Sequence, residues 1–247
     1  MINPWDSNAL HRHQQLLSRK DVTFWKVVAP RILALVRNKM SKTPPRLLDI
    51  GCGTGVLTGL LSEVAYEILA IDPSEDSISI ASDHLAGTAH VTLMNASIQD
   101  LEASRVGLFD IIVANMVLQA TDPLEPVFET IASLMAPQAT LIASIPHPCF
   151  WAQYRREVRT ETYAYHVASE HLIPFTTSID TGPLPSPVPY FHRPLESYSS
   201  HLFSCGLGIV RIFEPMPDLE TMTQYPQTWD YPRFMILECA LSPTQEA

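Results

Sequence analysis

The chain has 247 residues, of which 46% are hydrophobic, and a formal net charge of −10 at pH 7. This length fits one domain that buries roughly three quarters of its unfolded surface. The acidic balance and the lack of a basic run argue against DNA or RNA as a partner, because nucleic-acid binding requires many contacts to phosphates.

The N-terminal segment precedes the first expected strand and is predicted to be helical. Residues 6–20 are polar with interspersed leucines, and apolar residues recur at helical spacing from 24 to 36. His11 and His13 are close in sequence, but neither they nor the cysteines have a zinc-site spacing. We therefore expect no metal.

A glycine-rich turn follows the first predicted strand. The apolar run that contains Asp49 leads into Gly51, Gly53 and Gly55, and a helix-like stretch begins after them. Glycine permits positive φ and removes Cβ, so that a ligand can lie against the main chain at the start of the helix. The spacing Asp-x-Gly-x-Gly-x-Gly differs from a dinucleotide fingerprint, whose third glycine follows the second by three positions.

This turn resembles motif I of the class I S-adenosylmethionine-dependent methyltransferases. In that family the loop takes the amino-acid tail of the cofactor, and backbone carbonyl groups receive its ammonium. The resemblance implies that Asp49 helps to fix the turn. It also implies that Cys52 lies with Gly51, Gly53 and Gly55 in the cofactor site.

A second apolar run ends in the carboxylate of Asp72, about twenty residues after the glycines, where a βαβ unit places such a residue. A carboxylate there can accept charge-assisted hydrogen bonds from both ribose hydroxyls of a nucleoside. Asp72 is therefore predicted to hold the ribose, with Pro73 beside it. Ser74 is predicted to cap the next helix.

The third predicted strand, residues 91–94, leads into the loop where methyltransferases usually bind adenine. The family commonly has Asp at the position of Ser97. Ser97 can still accept one hydrogen bond, and Ile98 can pack against the ring. The resemblance therefore implies an adenine site at these two residues.

The fourth strand and its exit, residues 109–119, resemble motif IV of the family. The residues at the positions of Asn115 and Met116 lie along the cofactor in that family. The chain then has Gln119 where the family continues with His. Gln138 and Ala139 likewise replace both glycines of a later turn.

The fifth predicted strand, residues 141–145, is followed by His147 between two prolines. Ligands bind outside the carboxyl ends of the strands in a doubly wound sheet, so His147 is expected to face the cleft that holds the methyl donor. Three roles remain open for it: general base, substrate anchor, or a loop histidine hydrogen-bonded to backbone.

Residues 151–200 are rich in aromatic residues, histidine and proline, and no helical or strand period survives from about 173 to 189. An ordered irregular stretch of this kind inside one domain is typical of a functional lid. We interpret residues 151–200 as a substrate cap.

The cap offers candidates for substrate binding. Trp151 and Tyr190 are expected to line the substrate pocket, and His192 is a second catalytic candidate. Arg193 either grips a substrate carboxylate or pairs with a surface acid such as Glu196. We expect His147, Tyr190, His192 and Arg193 to lie together at the mouth of the methyl-donor pocket.

The fold class that the resemblance implies is α/β, with a doubly wound, mostly parallel seven-stranded sheet and an antiparallel last strand. This is the Rossmann-like methyltransferase fold with a substrate cap. A helix over residues 195–205 and two closing strands near 209–214 and 234–240 complete it. We divide the single domain 1–247 into a helical lid (1–42), a cofactor-binding core (43–150), the cap (151–200) and a closing helix with a strand pair (201–247).

The function that follows is transfer of a methyl group from S-adenosylmethionine to a nitrogen or oxygen of a small molecule by in-line displacement. Two alternatives remain open. A nicotinamide-dependent oxidoreductase is disfavoured by the glycine spacing and by the lack of a Tyr-x-x-x-Lys pair. A non-catalytic cofactor-binding protein is motivated by the replaced motif residues. We expect a monomer or homodimer in the reducing cytoplasm, without a membrane partner.

Overall fold

The structure, a computed structural model, describes residues 3–39, 45–65, 67–155, 163–177, 182 and 184–242. Parts of the expected lid and of the expected cap therefore lie outside the described residues. The α-helices are α1 (Pro4–Leu17), α2 (Ala29–Asn38), α3 (Val56–Ser62), α4 (Glu75–His84), α5 (Ala103–Val106), α6 (Glu125–Leu134), α7 (Trp151–Tyr154), α8 (Leu195–Ser204) and α9 (Leu219–Met222). A π-helical turn (Phe24–Val28) and 3-10 turns (Ile98–Asp100 and Leu118–Ala120) lie between them.

The strands are β1 (Arg46–Ile50), β2 (Glu67–Asp72), β3 (Val91–Asn95), β4 (Phe109–Asn115), β5 (Met135–Pro146), β6 (Ser169–Ile173), β7 (Val188–His192), β8 (Leu207–Phe213) and β9 (Phe234–Leu241). Seven of them form one sheet in the order β3-β2-β1-β4-β5-β9-β8. The first five run parallel, and β9 is antiparallel to both of its neighbours. The predicted mostly parallel seven-stranded sheet with an antiparallel last strand is confirmed.

The centre of the sheet is covered on both faces. Leu47 and Leu48 on β1 are both fully buried, but alternation along the strand sends them to opposite sides. Leu48 joins a core cluster that includes Phe128 from α6, whereas Leu47 joins one that includes Ile32 from α2 and Leu61 from α3. Burial on both faces explains why the strands read as continuous apolar runs.

The cap contains regular structure that the sequence analysis did not anticipate. β6 and β7 form a separate two-stranded antiparallel sheet, in which Ser169 pairs with His192 and Ile173 with Val188. Among the described residues, the expected irregular stretch is found at 174–177 and 184–187, between these two strands. The pattern was missed because β6 is largely polar and β7 contains Pro189, features that weaken a strand prediction.

A buried carboxylate joins the closing strands to the N-terminal helices. Glu238 on β9 is 1% exposed; its Oε1 lies 2.6 Å from Lys39 Nζ, and its Oε2 lies 2.6 Å from Arg211 Nη2. Burial alone would raise the pKa of Glu238, but the hydrogen bonds from Lys39 and Arg211 outweigh it and hold the pKa below its ordinary value. A carboxyl with a lowered folded pKa contributes stability above its unfolded pKa, and that contribution is lost as pH falls through the folded pKa.

We expect Glu238→Gln to lower the free energy of unfolding by about 1 to 3 kcal/mol, because the carboxylate is buried while its partners reach solvent. Glu67→Gln is the matched control. Its pair with Arg46 is exposed, so its cost should stay below about 0.5 kcal/mol. Urea denaturation at about pH 7 and about pH 3 measures both, and the Glu238 effect should shrink in acid. Equal costs for the two variants, or no dependence on pH, would contradict the role of Glu238.

Candidate active site

A cavity of about 460 Å³ lies at the carboxyl ends of β1, β2 and β4. Its volume falls within the range of about 300 to 1,000 Å³ that is usual for small-molecule sites. The core contributes Gly51, Cys52, Gly53, Asp72, Pro73 and the turn after β4. The N-terminal helices and the cap supply the facing surfaces, through Trp5, Arg12, Asp21, Phe24, Trp151, Tyr154, Arg155, Phe175 and Tyr190.

The glycines of the loop after β1 have different surroundings. Gly51, Gly53 and Gly55 all have positive φ, at 65°, 54° and 78°. A Cβ atom at Gly51 would lie 2.5 Å from Val117 Cγ2, and one at Gly55 would lie 2.9 Å from Leu85 Cδ1. At Gly53 a Cβ atom would meet nothing within 4 Å. Gly55 therefore serves helix packing, whereas Gly53 leaves open space beside the main chain in the cavity wall.

Asp49 lies behind this loop, outside the cavity wall. Its carboxylate is 1% exposed, and Oδ2 accepts a hydrogen bond of 2.7 Å from Thr58 Oγ1. Burial raises the pKa of Asp49 to about 7; the Thr58 hydrogen bond opposes the rise and the Asp72 charge adds to it. Asp49 thus links the end of β1 to α3 without contacting the cavity.

Asp72 at the end of β2 lines the cavity and holds two loops together. Its Oδ2 accepts from Gly53 N and its Oδ1 from Ser74 N, both at 2.9 Å. Burial raises the pKa of Asp72, and these two hydrogen bonds partly offset the rise. Each carboxylate oxygen keeps a free lone pair, so the group can accept further hydrogen bonds from a ligand. Ser74 also caps α4 as predicted, since its side chain accepts from Ser77 N.

The turn after β4 is held in an unusual backbone conformation. Met116 has a φ of 58°, rare for a residue with a long side chain, and such positions cluster at functional sites. Met116 N donates to the carbonyl oxygen of Ser144 at 3.0 Å, and Ser144 Oγ donates to Asn115 Oδ1 at 2.7 Å. Gln119 Nε2 donates to the Met116 carbonyl oxygen at 2.7 Å. Asn115, Met116 and Gln119 all line the cavity.

Ser144 was missed by the sequence analysis. It is fully buried on β5, the strand next to β4. In the sequence, Ser144 is visible only as a hydroxyl residue within an apolar strand. This pattern does not indicate that the hydroxyl contacts Asn115.

Ser97 and Ile98, the expected adenine site, do not line the cavity among the described residues. Ser97 N donates to Asp100 Oδ2 at 2.8 Å, and the Ser97 hydroxyl contacts Gln99 Oε1. Ile98 packs into the hydrophobic core. Both residues therefore serve the 3-10 turn Ile98–Asp100 and its packing in this structure.

His147 does not face the cavity, contrary to expectation. Its Nε2 lies 2.7 Å from Glu214 Oε1, and its Nδ1 accepts from Cys149 N at 3.3 Å. Accepting at Nδ1 leaves the proton on Nε2, which donates to Glu214. Both ring nitrogens are thus occupied, and His147 fastens the turn after β5 to the residue that follows β8. Its neighbour Pro146 is the one that lines the cavity.

His192 is also behind the wall. The side chain is fully buried, and Nε2 lies 2.9 Å from the Tyr165 carbonyl oxygen, so Nε2 carries the proton. Burial lowers the pKa of His192. Its ring stacks on Trp151, which in turn stacks on Tyr190 with centroids 3.8 Å apart and planes 9° apart. We call Trp151 and Tyr190 the aromatic wall, since both line the cavity.

Arg193 takes the second of its two expected roles, because it pairs with an exposed acid, but that acid is Asp122 and not Glu196. Its Nη2 lies 2.6 Å from Asp122 Oδ1 and donates to the Thr121 carbonyl at 2.7 Å, while Nη1 donates to the Leu118 carbonyl at 3.3 Å. Both terminal nitrogens of the guanidinium therefore bind the segment after β4, and Arg193 does not line the cavity. Of the four residues expected together at the pocket mouth, only Tyr190 is in the cavity wall.

The N-terminal helices close the cavity from the side of the glycine loop. α1 packs on α4, and His13 Nδ1 lies 2.9 Å from Thr54 Oγ1. Arg12 Nη2 pairs with Asp21 Oδ2 at 2.6 Å, and both line the cavity. The sequence analysis named neither, because nothing in their spacing indicates a contact with the core.

Two absences apply to the described part of the chain. It holds no group of three or more side chains suited to bind a metal ion. None of its helices is long and apolar enough to cross a bilayer.

Comparison with known sequences identifies relatives of the whole arrangement. Residues 24–179 match the family model described as a methyltransferase domain. The chain is 31% identical over 117 residues to the ubiquinone biosynthesis O-methyltransferase of Xanthomonas campestris pv. campestris, a match that covers 47% of this chain and 48% of that protein. This chain spans about half the length of the curated relatives it matches.

Solved structures show the same fold. An S-adenosylmethionine-dependent methyltransferase from Mesorhizobium loti is 22% identical with a TM-score of 0.62, over 83% of this chain and 95% of that one. A magnesium protoporphyrin IX methyltransferase from Synechocystis, with bound S-adenosylmethionine, is 17% identical with a TM-score of 0.55, over 87% of this chain and 78% of that one. At these identities the likeness concerns the fold.

The raised pKa of Asp49 predicts how the free energy of unfolding depends on pH. An acid whose folded pKa is raised contributes stability that is fully present below its unfolded pKa and lost as pH rises through the folded pKa. Relative to Asp49→Asn, the wild type should therefore lose about 3 kcal/mol of unfolding free energy between about pH 4 and about pH 8. Chemical denaturation across this range measures the difference. A difference between the wild type and Asp49→Asn that stays flat across this range would contradict the prediction.

Proposed function

Because this chain belongs to the class I S-adenosylmethionine-dependent methyltransferase family, we propose that its cavity binds S-adenosylmethionine and that the protein transfers the methyl group to a small molecule. One observation carries the proposal: the glycine loop, the Asp72 carboxylate and the turn at Met116 meet in a single cavity wall. The fold places these three features at the carboxyl ends of adjacent parallel strands, where α/β proteins bind ligands.

The cofactor is assigned to the core side of the cavity. We propose that main-chain groups of Gly51, Cys52 and Gly53 take its amino-acid tail, and that Asp72 accepts from the ribose hydroxyls. Asn115 and Met116 lie along it. Asp49 supports the loop through Thr58. Ser97 and Ile98 are left out of this proposal because neither is in the cavity wall.

The acceptor is assigned to the side of the lid and cap. The methyl carbon of a sulfonium is already activated, so the protein has to position the nucleophile in line and exclude water. The name of the Xanthomonas relative supports oxygen as the acceptor atom. Burial raises the pKa of Tyr154 and Tyr190, so these phenols keep their protons and orient the acceptor rather than deprotonate it. His147, His192 and Arg193 are proposed as positioning residues behind the wall.

The class of acceptor and the cellular compartment are proposed from the net charge and from the cysteines. A net charge of −10 supports a small-molecule acceptor over a polyanion. All four cysteines are free thiols, which supports a reducing cytoplasm. No observation in the described part of the site supports the oxidoreductase alternative. The non-catalytic alternative predicts cofactor binding without turnover, which release of S-adenosylhomocysteine in the presence of catechol and hydroxybenzoate acceptors tests directly.

Gly53→Val should abolish S-adenosylmethionine binding, because its side chain would occupy the open space beside the loop and resist positive φ. Gly206→Val is the matched control, since Gly206 also has positive φ (75°) with no atom within 4 Å of a Cβ, yet lies outside the cavity wall. Titration calorimetry measures S-adenosylmethionine binding to both variants, and melting temperatures check that both are folded. Because both substitutions strain a positive φ, a loss of binding in Gly53→Val alone would mean that its side chain occupies the space of the ligand. Normal binding by folded Gly53→Val would remove the loop from the cofactor site.

Asp72→Ala should weaken S-adenosylmethionine binding by about tenfold or more, since each charge-assisted hydrogen bond to the ribose is worth about 1.5 to 3 kcal/mol. Asp76→Ala, four residues later and exposed, removes the same charge without touching the cavity. Calorimetry on the two variants decides the assignment. Equal affinity in a folded Asp72→Ala protein would exclude Asp72 from the site.

A further inference from the structure

The charged side chains of the cavity wall are few enough to account for one by one. Among the described lining residues they are Arg12, Asp21, Asp72 and Arg155. Arg12 and Asp21 neutralise each other at 2.6 Å. Asp72 receives two backbone N–H groups and is assigned to the ribose. Arg155 is the remaining charge.

Arg155 has no carboxylate partner within the described part of the chain. The one side-chain hydrogen bond of Arg155 to a described residue runs from Nη1 to the Pro174 carbonyl oxygen at 3.4 Å, which is long for a guanidinium. A guanidinium carries five N–H donors in a planar fork suited to a carboxylate. No other described residue accepts from this side chain, which lies at a half-buried position in an otherwise largely aromatic region.

Arg155 lies beside the aromatic wall. Arg155 follows α7, and its backbone N–H donates to the Trp151 carbonyl oxygen at 3.1 Å. Arg155, Trp151 and Tyr190 all line the same cavity, and the charge of Arg155 opposes the rise that burial causes in the pKa of Tyr190. One cation and two stacked rings therefore form one side of the cavity.

This side of the cavity is formed by the cap and not by the elements that contact the glycine loop. The glycine loop, which is assigned to the amino-acid tail, faces α1 through the contact between His13 and Thr54. Arg155 instead comes from the start of the cap and contacts Pro174 just after β6. The two cationic side chains of the described cavity wall thus come from different covering elements. Arg12 lies on α1, the helix that contacts the glycine loop, whereas Arg155 lies in the cap.

We propose that the methyl acceptor is an aromatic carboxylate, whose carboxylate binds Arg155 and whose ring packs against Trp151 and Tyr190. This rests on the proposed function, since it names the substrate class of the same cavity. Arg155 thereby takes the carboxylate-binding role that the sequence analysis left open for Arg193. A neutral acceptor of the same shape leaves the guanidinium without its anion and binds less tightly.

The test compares matched acids and amides on protein saturated with S-adenosylhomocysteine. The probe pairs are benzoate, 3,4-dihydroxybenzoate and 3,4-dihydroxycinnamate, each against its primary amide, which keeps the ring and removes the charge. Titration calorimetry should give wild-type protein at least about a tenfold preference for the acid in one or more pairs. Arg155→Gln should reduce the ratio of acid affinity to amide affinity to about one. Arg155→Lys should retain part of the preference, because lysine keeps the positive charge but lacks the planar guanidinium that binds a carboxylate through two hydrogen bonds.

Two further variants sharpen the result. Arg155→Glu should reverse the preference, so that benzylamine binds more tightly than benzoate. Arg31→Gln removes one positive charge from α2, where Arg31 contacts Phe213 outside the cavity wall, and should leave the acid preference unchanged. Each variant is also titrated with S-adenosylhomocysteine alone, whose affinity should not change in Arg155→Gln.

Three results would overturn the assignment: no acid preference in any pair, a preference that survives in Arg155→Gln, or weakened S-adenosylhomocysteine binding in that variant. The last would assign Arg155 to the carboxylate of the cofactor. Failure of the proposed function looks different, because wild-type protein would then bind neither S-adenosylmethionine nor S-adenosylhomocysteine. Methyl transfer without acid preference would leave the function intact and remove only the substrate class.

Discussion

The cavity depends on one carboxylate that joins two loops. Asp72 ends β2 and receives the N–H groups of Gly53 and Ser74, so the glycine loop after β1 and the start of α4 are held at a fixed separation. The same oxygens remain able to accept from a ligand. A charged acceptor is needed because both loops present N–H donors to it, and burial makes an unpaired donor costly. Without this link, the open space beside Gly53 would have no defined shape.

The covering elements are positioned by polar contacts that face away from the cavity. Arg193 ties the end of β7 to Asp122, His147 ties the turn after β5 to Glu214, and His192 backs the ring of Trp151. Such contacts keep an aromatic surface rigid, which lowers the entropy that ligand binding has to overcome. The histidines that appear chemically suggestive in the sequence are therefore structural supports here. The cavity wall itself offers rings, main-chain groups and a small number of charges.

An arrangement in which buried polar contacts support the wall, and the wall itself positions ligands, suits methyl transfer. The reactive group belongs to the cofactor, so the protein contributes position and exclusion of water. A cavity closed by helices on one side and by a cap on the other provides both. Its core side carries the motifs that resemble those of the family, whereas its cap side carries Arg155 and the aromatic wall. Under the proposed function, the choice of acceptor is assigned to this cap side, which the family motifs do not cover.

The sequence by itself determined what depends on neighbouring residues: the apolar strands, the positive φ of Gly51 and Gly53, the Ser74 cap and the carboxylate of Asp72. These follow from local sterics and from hydrophobic burial on both faces of a parallel sheet. Only the tertiary structure decided which polar side chains face the cavity. Arg193 and Asp122 are 71 residues apart, and His147 and Glu214 are 67 apart. Spacing along the chain carries no information about such pairs, because packing of distant elements sets the direction of each side chain.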